Sequence, residues 1–421
     1  MTGRRYTLFI LTSVFAINTL DRHILSITLD QIGTEFSLTD TQLGLLSGLV
    51  FVAVYVLVGF PVAYLAAKGN RRNIIAISVA IWSSLTIAIA GAQSFAQLAL
   101  ARLGVGIGEA GAVAPAHSMI SDLYPEDRRT SAMASFVSGA NIGVFLAFLV
   151  GGVLGQAWGW RWAFVIAGLP GLVLAVLLRF TVSEPRRMIS DNPQTHGSHF
   201  LAALRRILSD KGLLHAMIGI SVLGVVTFGA LAWNATIIIR THGLSQAQTG
   251  IFLACVIGIG GAIGTWTSGR IADALGRRDA RWRIGVVIVA IIASKPLIAG
   301  FLIIENTTLA LTSMAGAAAM ASVFWGPTFA FAHSRIDPEL RPMVTAIFLF
   351  CFNLLGAGIG PTVIGLLSDT MVETQGARAL PNALLVVQIA GLWAVVHYVL
   401  AMRQIKPTSH QASRVGISAA S

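Results

Sequence analysis

Charge is scarce in this chain. Only 11% of its 421 residues are Asp, Glu, Lys or Arg, 55% are hydrophobic, and the mean hydropathy is +0.77. Soluble domains carry about 25% charged residues, so a water-soluble globule of this length is excluded. Cysteine is nearly absent. Cys255 and Cys351 both fall in apolar stretches, where burial as small hydrophobes is expected rather than a disulfide, and two cysteines make no metal site. No Gly-xxxx-Gly-Lys-Ser/Thr segment and no Cys/His ligand spacing occurs, which argues against a nucleotide and a metal. With no nucleophile and base to pair, neither an enzyme nor a cofactor is expected.

What the chain has instead is apolar length. Crossing the hydrocarbon core takes about 20 apolar residues. The sequence predicts twelve such spans, at 6–30, 41–67, 73–92, 97–122, 130–155, 161–182, 213–240, 246–270, 284–304, 308–334, 341–368 and 382–403. The expected fold class is an all-α integral membrane protein with twelve transmembrane helices.

The 29 Lys and Arg against 18 Asp and Glu give a formal charge of +11. Its placement reports topology rather than nucleic acid. Only Arg161, Arg240 and Arg378 lie in loops on one side, and only Arg22, Arg102 and Lys295 lie within the spans. The remaining basic residues fall on the other side, which the positive-inside rule makes cytoplasmic, both termini included. Basic loops there meet anionic lipid. Arg4-Arg5 leads straight into a full-length span, so no cleavable signal peptide is expected.

The longest polar interruption, Ser183 to about Leu213, separates six spans from six. The predicted organisation is a six-helix bundle over 1–182, a cytoplasmic linker over 183–212, a second six-helix bundle over 213–405, and a disordered cytoplasmic tail over 406–421. Within the linker Phe200, Leu201, Leu204, Ile207 and Leu208 recur with helical spacing opposite Arg205, Arg206 and Lys211, the pattern of an amphipathic helix on the membrane surface. The halves also echo each other. Gly269-Arg-Ile-Ala-Asp273-Ala-Leu-Gly276-Arg277-Arg278 follows the eighth span, and Ala63-Tyr-Leu-Ala-Ala67-Lys68-Gly-Asn-Arg71-Arg72 follows the second, which implies a six-helix duplication. Glycines four apart (Gly44 and Gly48, Gly139 and Gly143, Gly356 and Gly360) let helix backbones approach closely. Pro361 predicts a kink or gate in the eleventh span.

Charged side chains inside the spans cost roughly 2.5–3.5 kcal/mol each at the bilayer centre, and are tolerated where they pair and line a polar pathway. Asp21 and Arg22 sit in the first span, Arg102 and Glu109 in the fourth. Adjacent residues point about 100° apart on a helix, so Asp21 and Arg22 meet different neighbours. Arg102 and Glu109 share a face but stand about 10.5 Å apart along the axis, too far for a direct ion pair. The pattern predicts that Asp21 or Glu109 pairs with Arg102 while the other acid lies nearer water. The four charges cancel, and protonating one acid leaves +1, which favours an anionic group. Glu109 is the first choice for the group that exchanges the proton. His117, eight residues on, could relay protons, although a satisfied structural histidine fits as well. Asn18 is a candidate for a polar cavity lining, Asn141, Asn234 and Asn353 for that lining or for bridges between helices, and Trp233 and Trp325 for apolar walls or an interfacial belt. Lys295, beside Pro296, is expected to snorkel from a peripheral helix.

At this point the chain resembles the major facilitator superfamily along nearly its whole length. Gly269 to Arg278 is similar to that superfamily's loop motif, and Arg102-xxx-Gly106-x-Gly108 to its fourth-helix motif. The likeness is closest to Spinster-like transporters, through Asn18-Thr-Leu-Asp21-Arg22, Arg102-Leu-Gly-Val-Gly-Ile-Gly-Glu109-Ala, Asp122-Leu-Tyr-Pro and Asn353-Leu-Leu-Gly-Ala-Gly-Ile-Gly-Pro361. The resemblance implies two pseudo-symmetric bundles and alternating access by rocking. It implies functional roles for Asp21, Arg22, Arg102 and Glu109, and an amphipathic lysolipid or sphingolipid substrate moved by a secondary, proton-coupled transporter. Partners are then a small amphipathic or anionic solute, protons and membrane lipid, with no nucleic acid and no nucleotide. A monomer in a bacterial inner membrane is expected. The loop motifs imply gating by Arg71, Arg72, Asp122, Asp273, Arg277 and Arg278. Ala67 stands where the motif carries an acid that latches the halves together, so that latch would lean on Arg71, Arg72 and Asp122. The rivals are an organic-anion/proton symporter for sugar acids or aromatic acids, which would need cationic groups in both halves, and a drug efflux transporter.

Overall fold

The computed structural model describes residues 3–187 and 193–405, all crossings helical. The tail expectation for 406–421 lies outside the described residues. The first half comprises α1 (Gly3–Phe36), α2 (Asp40–Ser47), α3 (Leu49–Lys68), α4 (Arg71–Ile89), α5 (Phe95–Glu109), α6 (Val113–Leu123), α7 (Glu126–Trp158) and α8 (Trp160–Thr181). The linker forms α9 (Pro193–Ser209). The second half comprises α10 (Lys211–His242), α11 (Gln246–Leu253), a π-helical turn (Ala254–Ile259), α12 (Gly260–Gly276), α13 (Trp282–Ile303), α14 (Thr307–Ala321), α15 (Trp325–Ser334), α16 (Arg341–Gln375) and α17 (Ala379–Arg403).

Paired across their breaks, these helices make twelve crossings. The interruptions fall at Gly48 in the second crossing, at 110–112 in the fourth and at 322–324 in the tenth, while the eighth loosens into the π turn. Helix ends leave carbonyls and amides without intrahelical partners, and in a membrane such backbone persists where protein or a cavity receives it. In the eleventh crossing Pro361 lies inside α16, which is helical over all its 35 residues.

Small residues set how closely the helices approach. On α7, a Cβ at Gly139 would lie 2.6 Å from the Thr12 carbonyl oxygen of α1. Across the halves, a Cβ at Gly48 would lie 2.7 Å from the Ala357 carbonyl oxygen of α16, and one at Gly152 would lie 2.7 Å from Gly250 Cα. Each contact is backbone against backbone, so no side-chain rotation could relieve it.

The linker helix α9 packs its Ala203 and Ile207 fully into the second bundle and turns Leu201 and Leu208 outward. Asp210 ends the linker and caps α10 through the amides of Gly212 (2.8 Å) and Leu213 (3.2 Å), while Arg335 forms an ion pair with it at 3.1 Å. Partial burial opposes ionisation of Asp210, but the Arg335 and amide hydrogen bonds outweigh it and hold its carboxyl below the usual range. The two cysteines are free thiols; Cys351 is half-buried, but Cys255 is exposed on the π turn, contrary to the expected burial.

Candidate functional site

α1 carries Asn18, Asp21 and Arg22 into the interior of the first half. Asp21 is 1% exposed and accepts the Thr86 hydroxyl of α4 at 3.2 Å. Arg22 points the other way. Its Nε donates to Glu109 Oε2 at 2.5 Å, and its guanidinium carbon lies 5.1 and 4.8 Å from the Phe51 and Tyr55 ring centroids of α3. Glu109, the last residue of α5, is fully buried, with Asn18 one turn before Arg22 on the same face of α1.

Arg102 has a different partner from the one its sequence position predicts. It ion-pairs with neither acid. Its Nε donates to the Leu46 carbonyl at 3.3 Å, and its guanidinium carbon sits 5.1 Å from the Phe51 centroid. Leu46 lies in the last turn of α2, where the break at Gly48 ends the helix and leaves carbonyls free to accept. Glu109 is two turns further along α5, and Arg22 of α1 reaches it first. Among the described residues, Asp21 Oδ1, Glu109 Oε1, Arg22 Nη2 and Arg102 Nη1 are buried without a hydrogen-bond partner. Such groups are rare in folded proteins and mark sites where water, a proton or a ligand is received.

One cavity opens beside this cluster, and a second adjoins the first at Leu231. A central one of about 50 Å³ lies between the halves, lined by Arg22, His23, Phe51, Tyr55, Arg102 and Asn353 among others. A larger one, about 210 Å³, lies inside the second half among α10, α13, α14 and α17, with Asn234 and Trp325 in its walls. Leu231 of α10 lines both. Lys295 also lines the larger cavity and does not snorkel: its Nζ donates to Gln388 Oε1 of α17 at 2.8 Å. An amide oxygen inside the bundle supplies the partner that snorkelling would have sought at the membrane surface.

The other expected cavity residues divide. Asn353 lines the central cavity and donates to the Leu349 carbonyl at 2.8 Å. Trp233 is fully buried and donates to the Pro361 carbonyl at 2.9 Å, so it ties α10 to α16 rather than walling a pocket. His117 packs edge-on against Phe136 of α7 and lies on α6, separated from Glu109 by the break at 110–112. Asn141 is exposed on α7.

Of the expected gating residues, Arg71 bonds Asp122, Ser118 and Glu184, and Arg72 bonds the Val182 carbonyl and, through its amide, Glu184. These contacts stay within the first half and its linker. Arg187 donates to the carbonyls of Ala66, Ala67 and Gly69, capping α3 where the motif acid is missing. Asp273, Arg277 and Arg278 are exposed at the end of α12. Among the described residues, several bonds join the halves at the end opposite the chain termini, where the sequence offered no motif. Arg240 of α10 reaches Asp30 at 2.6 Å and Asp40 at 2.8 Å, and Asp369 of α16 accepts the Asp40 and Thr41 amides at 3.0 and 2.8 Å. Gln246 of α11 donates to the Gly151 carbonyl at 2.8 Å.

Two six-crossing bundles meeting around a charged central cavity define a membrane transporter of small molecules. The sequence agrees: the Major Facilitator Superfamily model matches residues 11–361, and the chain belongs to that family. It is 30% identical over 385 residues to an MFS-type efflux pump of Mycolicibacterium smegmatis, covering 90% of this chain and 88% of the pump. It is 26% identical to protein spinster homolog 1 of Xenopus tropicalis, over 92% of this chain and 79% of that protein. A bacterial homologue of the human lysosomal transporter Spinster, crystallised in an inward-facing and unoccupied conformation, superposes with a TM-score of 0.87 at 27% identity, covering 96% of this chain and 98% of its own. The protein is thus a multi-pass membrane transporter of the Major Facilitator Superfamily and not an enzyme, and it is similar to Spinster proteins.

Proposed function

We propose that this protein is a proton-coupled secondary transporter that moves an amphipathic solute of lysolipid or sphingolipid type by alternating access. The observation that carries this reading is the contact between unlike cavities: a small one faced by Arg22 and Arg102, and a larger, mostly apolar one, sharing Leu231 as a wall. A molecule with a polar end and a hydrocarbon part fits that pair better than a uniformly polar solute does.

Glu109 is the coupling group in this reading. While ionised it holds Arg22, and the four charges of the cluster cancel. Protonation releases Arg22, leaves one positive charge uncompensated and loosens α1 from α5. Asp30, which meets Arg240 at the closed end, lies eight residues along α1 from Arg22, about 12 Å away. Movement of α1 therefore reaches the far gate directly. The protein sits as a monomer in a bacterial inner membrane with both termini cytoplasmic, so the closed end faces outward and the molecule is inward-facing.

Efflux of apolar drugs is the second reading, favoured by the likeness to the M. smegmatis pump. Proteoliposome uptake of labelled lysophospholipid, sphingosine-1-phosphate, an aromatic acid and a cationic dye, with and without an inward proton gradient, separates these. Gradient-dependent movement of the lipids supports the proposal. Movement of the dye or the aromatic acid alone overturns the lipid assignment.

A further inference from the structure

Lys295 is the only charged residue among the described residues that line the larger cavity, and no carboxylate there pairs with it. Its partner is the neutral Gln388 carbonyl. Gln388 is 4% exposed and leaves its amide nitrogen buried without a partner. The amine is received by shape as well: a Cβ at Gly391, one turn along α17 from Gln388, would lie 2.9 Å from Lys295 Cε. A lysine held at membrane depth by a neutral oxygen alone is a poor structural tie, because the charge costs roughly 2.5–3.5 kcal/mol there. Buried charges persist where an opposite charge or further hydrogen bonds complete them. The first-half arginines are balanced by Asp21 and Glu109; Lys295 has no such balance.

We propose that Lys295 and Gln388 bind the acidic end, a carboxylate or a phosphate, of an amphiphile whose hydrocarbon part fills the larger cavity. This deepens the transport reading and rests on it for the cavity being part of the route. The acid accepts from the Lys295 ammonium and from the spare Gln388 amide, completing both groups at once. Substrates are then anionic amphiphiles, and cationic ones of equal chain length are excluded. The second half then holds the acidic group, and the remaining polar part of the amphiphile faces the adjoining central cavity at Arg22 and Arg102.

The test is equilibrium binding of radiolabelled dodecanoate, dodecyl phosphate and dodecanol to the full chain in nanodiscs at pH 8, without any gradient. The parent is expected to bind at least one acid about tenfold more tightly than the alcohol, a difference of about 1.4 kcal/mol; which acid wins distinguishes carboxylate from phosphate recognition. Lys295→Met is expected to bring that ratio near unity. Gln388→Glu, which supplies the carboxylate internally and keeps the amine paired, is expected to do the same in a well-folded protein. An acid-to-alcohol ratio near one in the parent, no saturable binding of either acid, or an unchanged ratio in both variants overturns the proposal. Anion preference without uptake in liposomes would leave this site standing and remove the transport assignment. Uptake with a ratio that Lys295→Met does not move would do the reverse.

Discussion

Arg22 on α1 donates to Glu109 at the end of α5 at 2.5 Å, and the same guanidinium rests against Phe51 and Tyr55 of α3. One side chain thus ties three crossings of the first half. The Phe51 ring also meets Arg102, so both cations of the cluster share one aromatic neighbour. The arrangement puts Glu109, the proposed proton-accepting group, in direct contact with the Arg22 cation, as the proposed coupling requires.

Removing Arg22 should therefore do two separable things. Arg22→Met leaves the buried Glu109 carboxylate unpaired, and breaking a buried pair this way costs about 3 kcal/mol. Thermal unfolding in detergent should fall accordingly. Adding Glu109→Gln to that variant should recover most of the loss, because no orphaned charge remains. An equally large loss in the double variant would mean that Arg22 acts through its packing on Phe51 and Tyr55.

Closure at the end opposite the termini depends on bare backbone contact. Because a Cβ at Gly48 would come within 2.7 Å of the Ala357 carbonyl, Gly48→Ala is expected to favour opening of that end. Asp369→Asn, which weakens the acceptor for the Asp40 and Thr41 amides, should act in the same direction. Labelling of a cysteine placed at Thr362, in a background without Cys255 and Cys351, should rise several-fold in both variants. Unchanged labelling would mean that neither contact controls closure.

Asp210 offers a pH test outside the membrane. Its carboxyl is held below the usual range when folded, so its stabilisation is fully present above the unfolded value of about 3.9 and is lost as pH falls through the lower folded value. Asp210→Asn keeps the helix cap but loses the Arg335 ion pair, whereas Asp210→Ala loses both; losing the cap costs about 1 kcal/mol. At pH 7 unfolding should order as parent, Asn, Ala from most to least stable. As pH falls below about 3.9 the gap between the parent and Asn variants should narrow progressively. A gap that does not shrink with falling pH would show that the ion pair is not its source.

How much of this was legible in the sequence depends on what each residue needs in order to be recognised. Asp21, Arg22, Arg102 and Glu109 announce themselves as charges inside apolar runs, and the angle between Asp21 and Arg22 follows from helix geometry alone. Which acid meets which base does not, because it depends on how α1 is seated in the bundle, where Gly139 and Gly143 of α7 pack on Thr12 and Ala16. The glycines themselves were legible, being spaced four apart. Lys295 was visible but misread, since its inward orientation depends on a neutral partner, Gln388, that stands out in no pattern. The far-end gate was invisible for a related reason: Asp30, Asp40, Arg240 and Asp369 sit near helix ends, where charges are ordinary.

The central claim is that Glu109 carries the coupled proton. Its most direct test compares gradient-driven accumulation with gradient-independent counterflow of labelled lysophospholipid in proteoliposomes, for the parent and for Glu109→Gln. The account predicts that Glu109→Gln loses accumulation by tenfold or more yet keeps counterflow. Accumulation that survives in Glu109→Gln would contradict it.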